Sequence, residues 1–265
     1  FLAITIMIVI SAFKTELLIK FVVPLFIISF VLLAIVPIIG VEVKGAKRWI
    51  DLHFFRLQPI EILKPFFILM TAKLLTFEKF QNSQIKYLIS FTLLGSVIIL
   101  LIDQPDLGQS ILLIGSWVGT VFISGVSLVY IFFIFLVFIV LISTLLFLLP
   151  EKFGYIINRL ITFFEPGQGD KFQSSAALDA IRLGGLTGQG MGEGILKERV
   201  PEAHTDYVIA VISEEYGSLV TIIILGIFLY ISFRIIKNCF NQDDRFLKIS
   251  LIGLATLMIF QTFIH

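Results

Sequence analysis

The stretch FVVPLFIISFVLLAIVPII, residues 21–39, contains no charged side chain. A helix that crosses a hydrocarbon core of about 30 Å needs about 20 mostly apolar residues, so this run alone predicts a membrane span. Strands of a membrane barrel would alternate apolar and polar side chains, and this run does not. Similar runs occupy 87–102, 107–124, 126–149, 216–233 and 249–264, while 1–13 reads as the tail of a span already under way. Residues 59–77 form a weaker candidate, interrupted by Glu61, Lys64 and Lys73, but FFILMTAKLL is too apolar for a loop. The expected fold is all-α: a polytopic transmembrane bundle of eight spans.

Composition agrees. Of 265 residues, 58% are hydrophobic, 15% are charged and 28 are phenylalanine, whereas a soluble domain carries about 45–50% apolar and about 25% charged residues. A water-soluble globule and a disordered chain are both excluded. A net charge of +1 gives no bulk basicity to attract nucleic acid. The single cysteine, Cys239, cannot form an internal disulfide and reads as an isolated loop or helix-end thiol; no Cys/His cluster has zinc spacing. Phe1 and His265 both fall inside apolar runs, so the expectation is a fragment of a longer membrane protein, truncated at both ends. Residues 1–13 lack the basic start and cleavage site of a signal peptide.

If the first span ends inside, the short inner loops fall at 14–20, 73–86 and 234–248. They carry Lys14, Lys20, Lys73, Lys79, Lys86, Arg234, Lys237, Arg245 and Lys248, as the positive-inside rule requires. The opposing loops are 40–58 and 150–213. The long one is too long to vote, whereas Lys44, Lys47, Arg48 and Arg56 in the short one vote the other way.

The chemistry concentrates in those outer loops. Of the 39 Asp, Glu, Lys and Arg residues, eight lie within 40–64 and fourteen within 151–206. In GVEVKGAKRWIDLHFFRLQPIEILKP (40–65), Lys47 and Arg48 are candidates to hold a phosphate-bearing lipid headgroup, with Trp49 at the membrane interface. The plain alternative is interfacial anchoring. Glu61 and Lys64, three residues apart, share a helix face, and ionisable groups in a span face the bundle interior and pair. A structural ion pair and a cavity-lining pair both fit. In the turn Asp103-Gln104-Pro105-Asp106-Leu107-Gly108, Asp106 is expected to cap the following helix, with metal or substrate contact as the alternative.

Within the long loop, Gly184, Gly185, Gly188, Gly190, Gly192 and Gly194 leave backbone N–H groups able to approach phosphate, but match no nucleotide fingerprint; a flexible loop is the expectation. Next comes KERVPEAHTDY (197–207), which sets a carboxylate and an imidazole two residues apart beside Lys197 and Arg199. That set suits acid/base chemistry, although Asp206 equally suits a helix cap. Glu214 and Glu215 are expected at the start of the next span, where negative charge suits the helix dipole.

Five stretches, GAKRWIDL (45–52), QPIEILK (58–64), QPDLG (104–108), FQSSAALDAIRLGGLTGQG (172–190) and VPEAHTDYVIAVISEEYG (200–217), together resemble the SEDS family (shape, elongation, division and sporulation) of membrane glycosyltransferases. They cover most of the chain in family order. PEAHTD with GQGMGEG is more similar to the division branch, FtsW, than to the elongation branch, RodA. Ile60 departs from the family's QPSE pattern, where serine is usual. The family fold has ten spans, so the resemblance implies that this chain covers spans two to nine as a single domain.

The resemblance implies polymerisation of lipid II into β-1,4-linked glycan strands at the outer face of the bacterial cytoplasmic membrane, during division. It implies a class B penicillin-binding protein (a transpeptidase) and other divisome membrane proteins as partners. Asp206 matches the acidic residue that the family is thought to use catalytically. Lys47, Arg48, Trp49, Glu61, Lys64, Lys197, Arg199 and His204 are the accompanying candidates for substrate binding. No cofactor is required by this reading, and a divalent cation is an alternative means of charge stabilisation. A lipid II flippase is the rival function, suggested by spans interrupted at Pro24, Pro37, Gly95 and Gly115 and by the intramembrane Glu61 and Lys64.

Overall fold

The computed structural model describes residues 2–43, 46–53, 55–78, 82–148, 172–194 and 208–264. Every expected span corresponds to a helix: α1 (Leu2–Ser11), α2 (Thr15–Ile39), α3 (Pro59–Thr76), α4 (Ser83–Asp103), α5 (Leu107–Ile123), α6 (Leu128–Leu148), α8 (Val208–Cys239) and α9 (Arg245–Ile264). Among the described residues, α2, α4, α8 and α9 are long and apolar enough to cross a membrane, and α5 is a shorter apolar helix. The protein is a multi-pass membrane protein. The chain divides into two compact units, Phe1–Gly125 with Cys239–Leu257, and Val126–Asn238 with Met258–His265.

In the first unit, α2, α3, α4 and α5 pack together around Leu33, Leu63, Phe67, Val97, Leu112 and Trp117, all fully or almost fully buried. The Trp117 indole N–H donates to Ser90 Oγ at 2.7 Å, so a polar bond as well as apolar contact ties α5 to α4. α9 crosses close: a Cβ on Gly119 would lie 2.7 Å from Thr256 Cγ2, and one on Gly253 would lie 2.5 Å from Ile68 Cγ2. Small residues admit such contacts where no aqueous driving force presses helices together. At one end of the unit, basic side chains satisfy helix-terminal carbonyls. Lys86 Nζ donates to Leu75 O at 3.4 Å and Arg245 Nη2 to Ser124 O at 3.0 Å, the charge sign that a helix C-terminus favours. Cys239 is a buried helix-end thiol, with Sγ 3.1 Å from Lys248 O.

Residues 40–58, expected as loop, contain a three-stranded antiparallel sheet in order β1 (Val41–Val43), β2 (Ala46–Asp51), β3 (Arg56–Leu57). Glu42 faces Lys47 across the first pair and Asp51 faces Arg56 across the second, so opposite charges meet where they stabilise a ladder. β2 packs on α2 and α3, burying Ile50. Side chains alternate along a strand, so Arg48 turns to the bundle with Ile50 while Lys47 and Asp51 are exposed.

In the second unit, the long loop contains a helix that was not expected, α7 (Phe172–Gly184). Its Ala177 and Ala180 pack on Ala210 of α8. α8 starts at Val208, well before the expected 216, and breaks at Gly217, whose φ of 85° and ψ of 166° are non-helical. Glu214 and Glu215 thus precede the break instead of opening the helix. α6 is uncharged, and Phe132, Phe133 and Val137 on it are exposed, as suits a lipid-facing helix.

Candidate functional site

The candidate site in the first unit begins with a proline. Pro37 has no N–H, so the Leu33 carbonyl one turn earlier in α2 loses its helical donor. The buried Gln104 side chain replaces it, with Nε2 donating to Leu33 O at 3.0 Å. This bond anchors the turn between α4 and α5 to α2. From the other side, Arg48 grips the same turn: Nε donates to Gln104 O at 3.2 Å and Nη2 to Pro105 O at 2.6 Å. Its guanidinium also lies 3.8 Å from Asp106 Oδ2. Asp106 is the N-cap of α5, as expected: Oδ1 accepts from the Gln109 N–H at 3.4 Å.

Gln109, one turn into α5, then completes a ring with α3. Its Nε2 donates to Glu61 Oε1 at 3.0 Å, and its Oε1 accepts from Lys64 Nζ at 3.0 Å. Lys64 Nζ lies 2.8 Å from Glu61 Oε2, closing the ring. The Lys64 side chain is 1% exposed and that of Glu61 39%. A buried ammonium between two acceptors is tolerable in a membrane bundle, where an unpartnered one is not, and Glu61 is the member open to the surroundings.

Glu61, Lys64 and Arg48 are therefore brought into one connected chain, and two residues that sequence reading passed over, Gln104 and Gln109, connect it. Lys47 stands apart, exposed on the opposite face of β2, so the structure does not bring the adjacent Lys47 and Arg48 to a common point. Trp49 is half-buried opposite Val41. Asp206, His204, Lys197 and Arg199 lie outside the described residues. Among the described residues, no group of three His, Cys, Asp or Glu side chains is arranged to hold a metal.

The glycine-rich stretch of the second unit is not an open phosphate cradle where it is described. The N–H groups of Gln189 and Gly190 donate to Glu214 O and Glu215 O at 2.9 and 3.0 Å, and Ser218 N donates to Gly185 O at 2.9 Å. The break at Gly217 frees carbonyls that a continuous helix would use internally, and the loop supplies their donors. Contact is between backbones: a Cβ on Gly184 would lie 1.9 Å from Ser213 O, and one on Gly188 would lie 2.2 Å from Glu215 O. Glu214 is fully buried beneath this saddle, and a Cβ on Gly194 would stand 3.1 Å from its carboxylate.

The profile of the FtsW/RodA/SpoVE family, described as a cell cycle protein family, matches residues 1–265. A probable peptidoglycan glycosyltransferase FtsW of Caulobacter vibrioides is 32% identical over 84% of this chain and 56% of its own length. The corresponding Haemophilus influenzae protein is 31% identical over 91% of this chain and 62% of its own. A Geobacter relative of the same description is 33% identical over 93% and 68%. The chain thus spans a little over half to about two thirds of the length of these relatives. Among solved structures, a chain of a peptidoglycan synthase complex that coordinates polymerization and crosslinking aligns with a TM-score of 0.71 at 22% identity, over 94% of this chain and 70% of that one. The rod shape determining protein RodA of Thermus thermophilus aligns with a TM-score of 0.60 at 23% identity, over 94% and 66%. At these identities the two structures establish the shared fold.

Proposed function

This chain belongs to the FtsW/RodA/SpoVE family of cell cycle proteins, and from that premise we propose that it is the body of a peptidoglycan glycosyltransferase. Its substrate is lipid II, polymerised at the outer face of the cytoplasmic membrane during division, with a class B penicillin-binding protein as partner. The observation that carries this reading is the buried Lys64, held between Glu61 and Gln109 beside the 40–58 sheet. A positive charge kept inside a bundle and reached through a half-exposed carboxylate suits the handling of an anionic, lipid-borne substrate better than it suits bundle stability.

The donor sugar is α-linked to pyrophosphate and the product is β-linked, so one inverting displacement is sufficient. The acceptor 4-hydroxyl attacks the anomeric carbon, the bond to pyrophosphate breaks, and its electron pair leaves with the undecaprenyl pyrophosphate. Asp206 takes the hydroxyl proton, a role that contributes about 10²–10⁴-fold. Lys197, Arg199 and Lys47 are the basic residues assigned to the developing phosphate charge, with His204 beside Asp206 and Trp49 at the interface; a divalent cation serves the same purpose if one binds. The test is Asp206→Ala in the full-length protein with its transpeptidase partner and labelled lipid II. Loss of glycan chains with partner binding retained is expected; unchanged chains would overturn the assignment.

A transport reading has one observation in its favour, the helix broken at Gly217, since discontinuous spans mark many transporters. Headgroup translocation in liposomes without any polymerisation would favour it.

A further inference from the structure

We infer that Arg48 and Gln109 are positioning residues of the Glu61–Lys64 site: Gln109 sets the place of the Lys64 ammonium, and Arg48 acts on it through Asp106. The inference rests on the proposed role of Lys64 and Glu61 toward substrate. Its basis is a continuous run of contacts. Arg48 holds Gln104 O and Pro105 O with two N–H groups and approaches Asp106 Oδ2. The other Asp106 oxygen caps the N–H of Gln109, and the Asp106 carbonyl accepts from Ser110 N and Ser110 Oγ at 3.2 and 2.8 Å. The first turn of α5 is therefore fixed in rotation as well as in height. Its rotation decides whether the Gln109 amide can reach Lys64 and Glu61 at once, as it does at 3.0 Å to each.

Side-chain chemistry gives each position a reason. An amide is the neutral group that offers Lys64 an acceptor and Glu61 a donor together. A second carboxylate would lose the donor, and an ammonium would lose the acceptor. Arg48 needs its planar fork, because two carbonyls and a carboxylate are reached from one guanidinium; the single ammonium of lysine cannot reproduce that spread. Although Arg48 is one of the candidates for binding phosphate, its described contacts are all with this turn, so it serves the site from behind.

The experiment uses the full-length protein with its transpeptidase partner in liposomes containing labelled lipid II. Gln109→Leu should lower kcat about 10²-fold, the scale of an ångström-sized misplacement, with KM for lipid II changed less than about twofold. Arg48→Lys should lower kcat about tenfold if the turn shifts by less. Because Arg48 acts through Gln109, the double variant should be no slower than Gln109→Leu alone. Losses that multiply, or a kcat of Gln109→Leu within about twofold of the parent, would overturn the inference. If Gln109→Leu does not fold, Gln109→Glu takes its place, with the same two criteria. Lys64→Met separates the two levels: if it polymerises normally, the reading of the Glu61–Lys64 site itself fails. If Lys64→Met is inactive while Gln109→Leu is normal, only the positioning role fails.

Discussion

The end of the first unit that carries the sheet and the saddle of the second are both tight, but they are built from opposite materials. At the former, side chains do the work: Arg48, Gln104, Asp106, Gln109, Glu61 and Lys64 reach across from four elements to one another. At the latter, side chains are excluded, and Gly184, Gly188 and Gly217 let one backbone lie directly on another. Each arrangement answers the same demand, that backbone groups freed by a proline or a helix break find partners. Pro37 frees one carbonyl and a glutamine side chain answers it. The break at Gly217 frees several, and only a second backbone supplies enough donors.

The two solutions should fail differently. The largest effect is expected at the glycines. Gly217→Ala places a Cβ 2.2 Å from Leu186 O in a backbone conformation reserved for glycine, and Gly184→Ala places one 1.9 Å from Ser213 O. Each should cost about 3 kcal/mol or more through strain and overpacking, seen as a lost or strongly lowered thermal transition in detergent. Survival with the parent's melting temperature would mean that the saddle is loose. Gln104→Ala should cost less, about 1–3 kcal/mol for an unsatisfied buried carbonyl. Most of that loss should return in the Gln104→Ala, Pro37→Ala pair, because residue 37 then donates to Leu33 O itself; additive losses would remove the proline from the explanation. The smallest effect belongs to Gly95, in α4, where an added Cβ meets nothing within 4 Å. Gly95→Ala should be neutral or stabilise by up to about 1 kcal/mol, which thermal melting in detergent can check.

The same contrast explains what the sequence disclosed. Spans were legible because an apolar run of the right length has few other uses, and each corresponds to a helix. The Glu61–Lys64 pair and the Asp106 cap were legible because charge and helix period place them without tertiary knowledge. The sheet at 40–58 was not: its strands are two to six residues long and rich in charge, so no alternation rises above loop composition. Gln109 escaped notice because an uncharged amide near a helix start has many mundane readings; its spacing of three from the Asp106 cap was the available clue. The glycine-rich stretch was expected to be flexible, and its described part is packed. Composition cannot distinguish a glycine kept for freedom from one kept for close approach. Arg48 drew attention as a phosphate ligand because charge is visible in a sequence and the direction of a strand residue is not until the strand is recognised.

The central claim is that the buried charge at the sheet-bearing end serves a substrate. It is tested most directly by glycan polymerisation from labelled lipid II with Lys64→Met in the full-length protein and its transpeptidase partner. The account predicts that polymerisation falls about 10²-fold or more, the scale of losing one preorganised charge, while the protein still folds and binds its partner. Glycan chains formed at the parent's rate and length would contradict it and leave Glu61, Lys64 and Gln109 as a structural tie between α3 and α5.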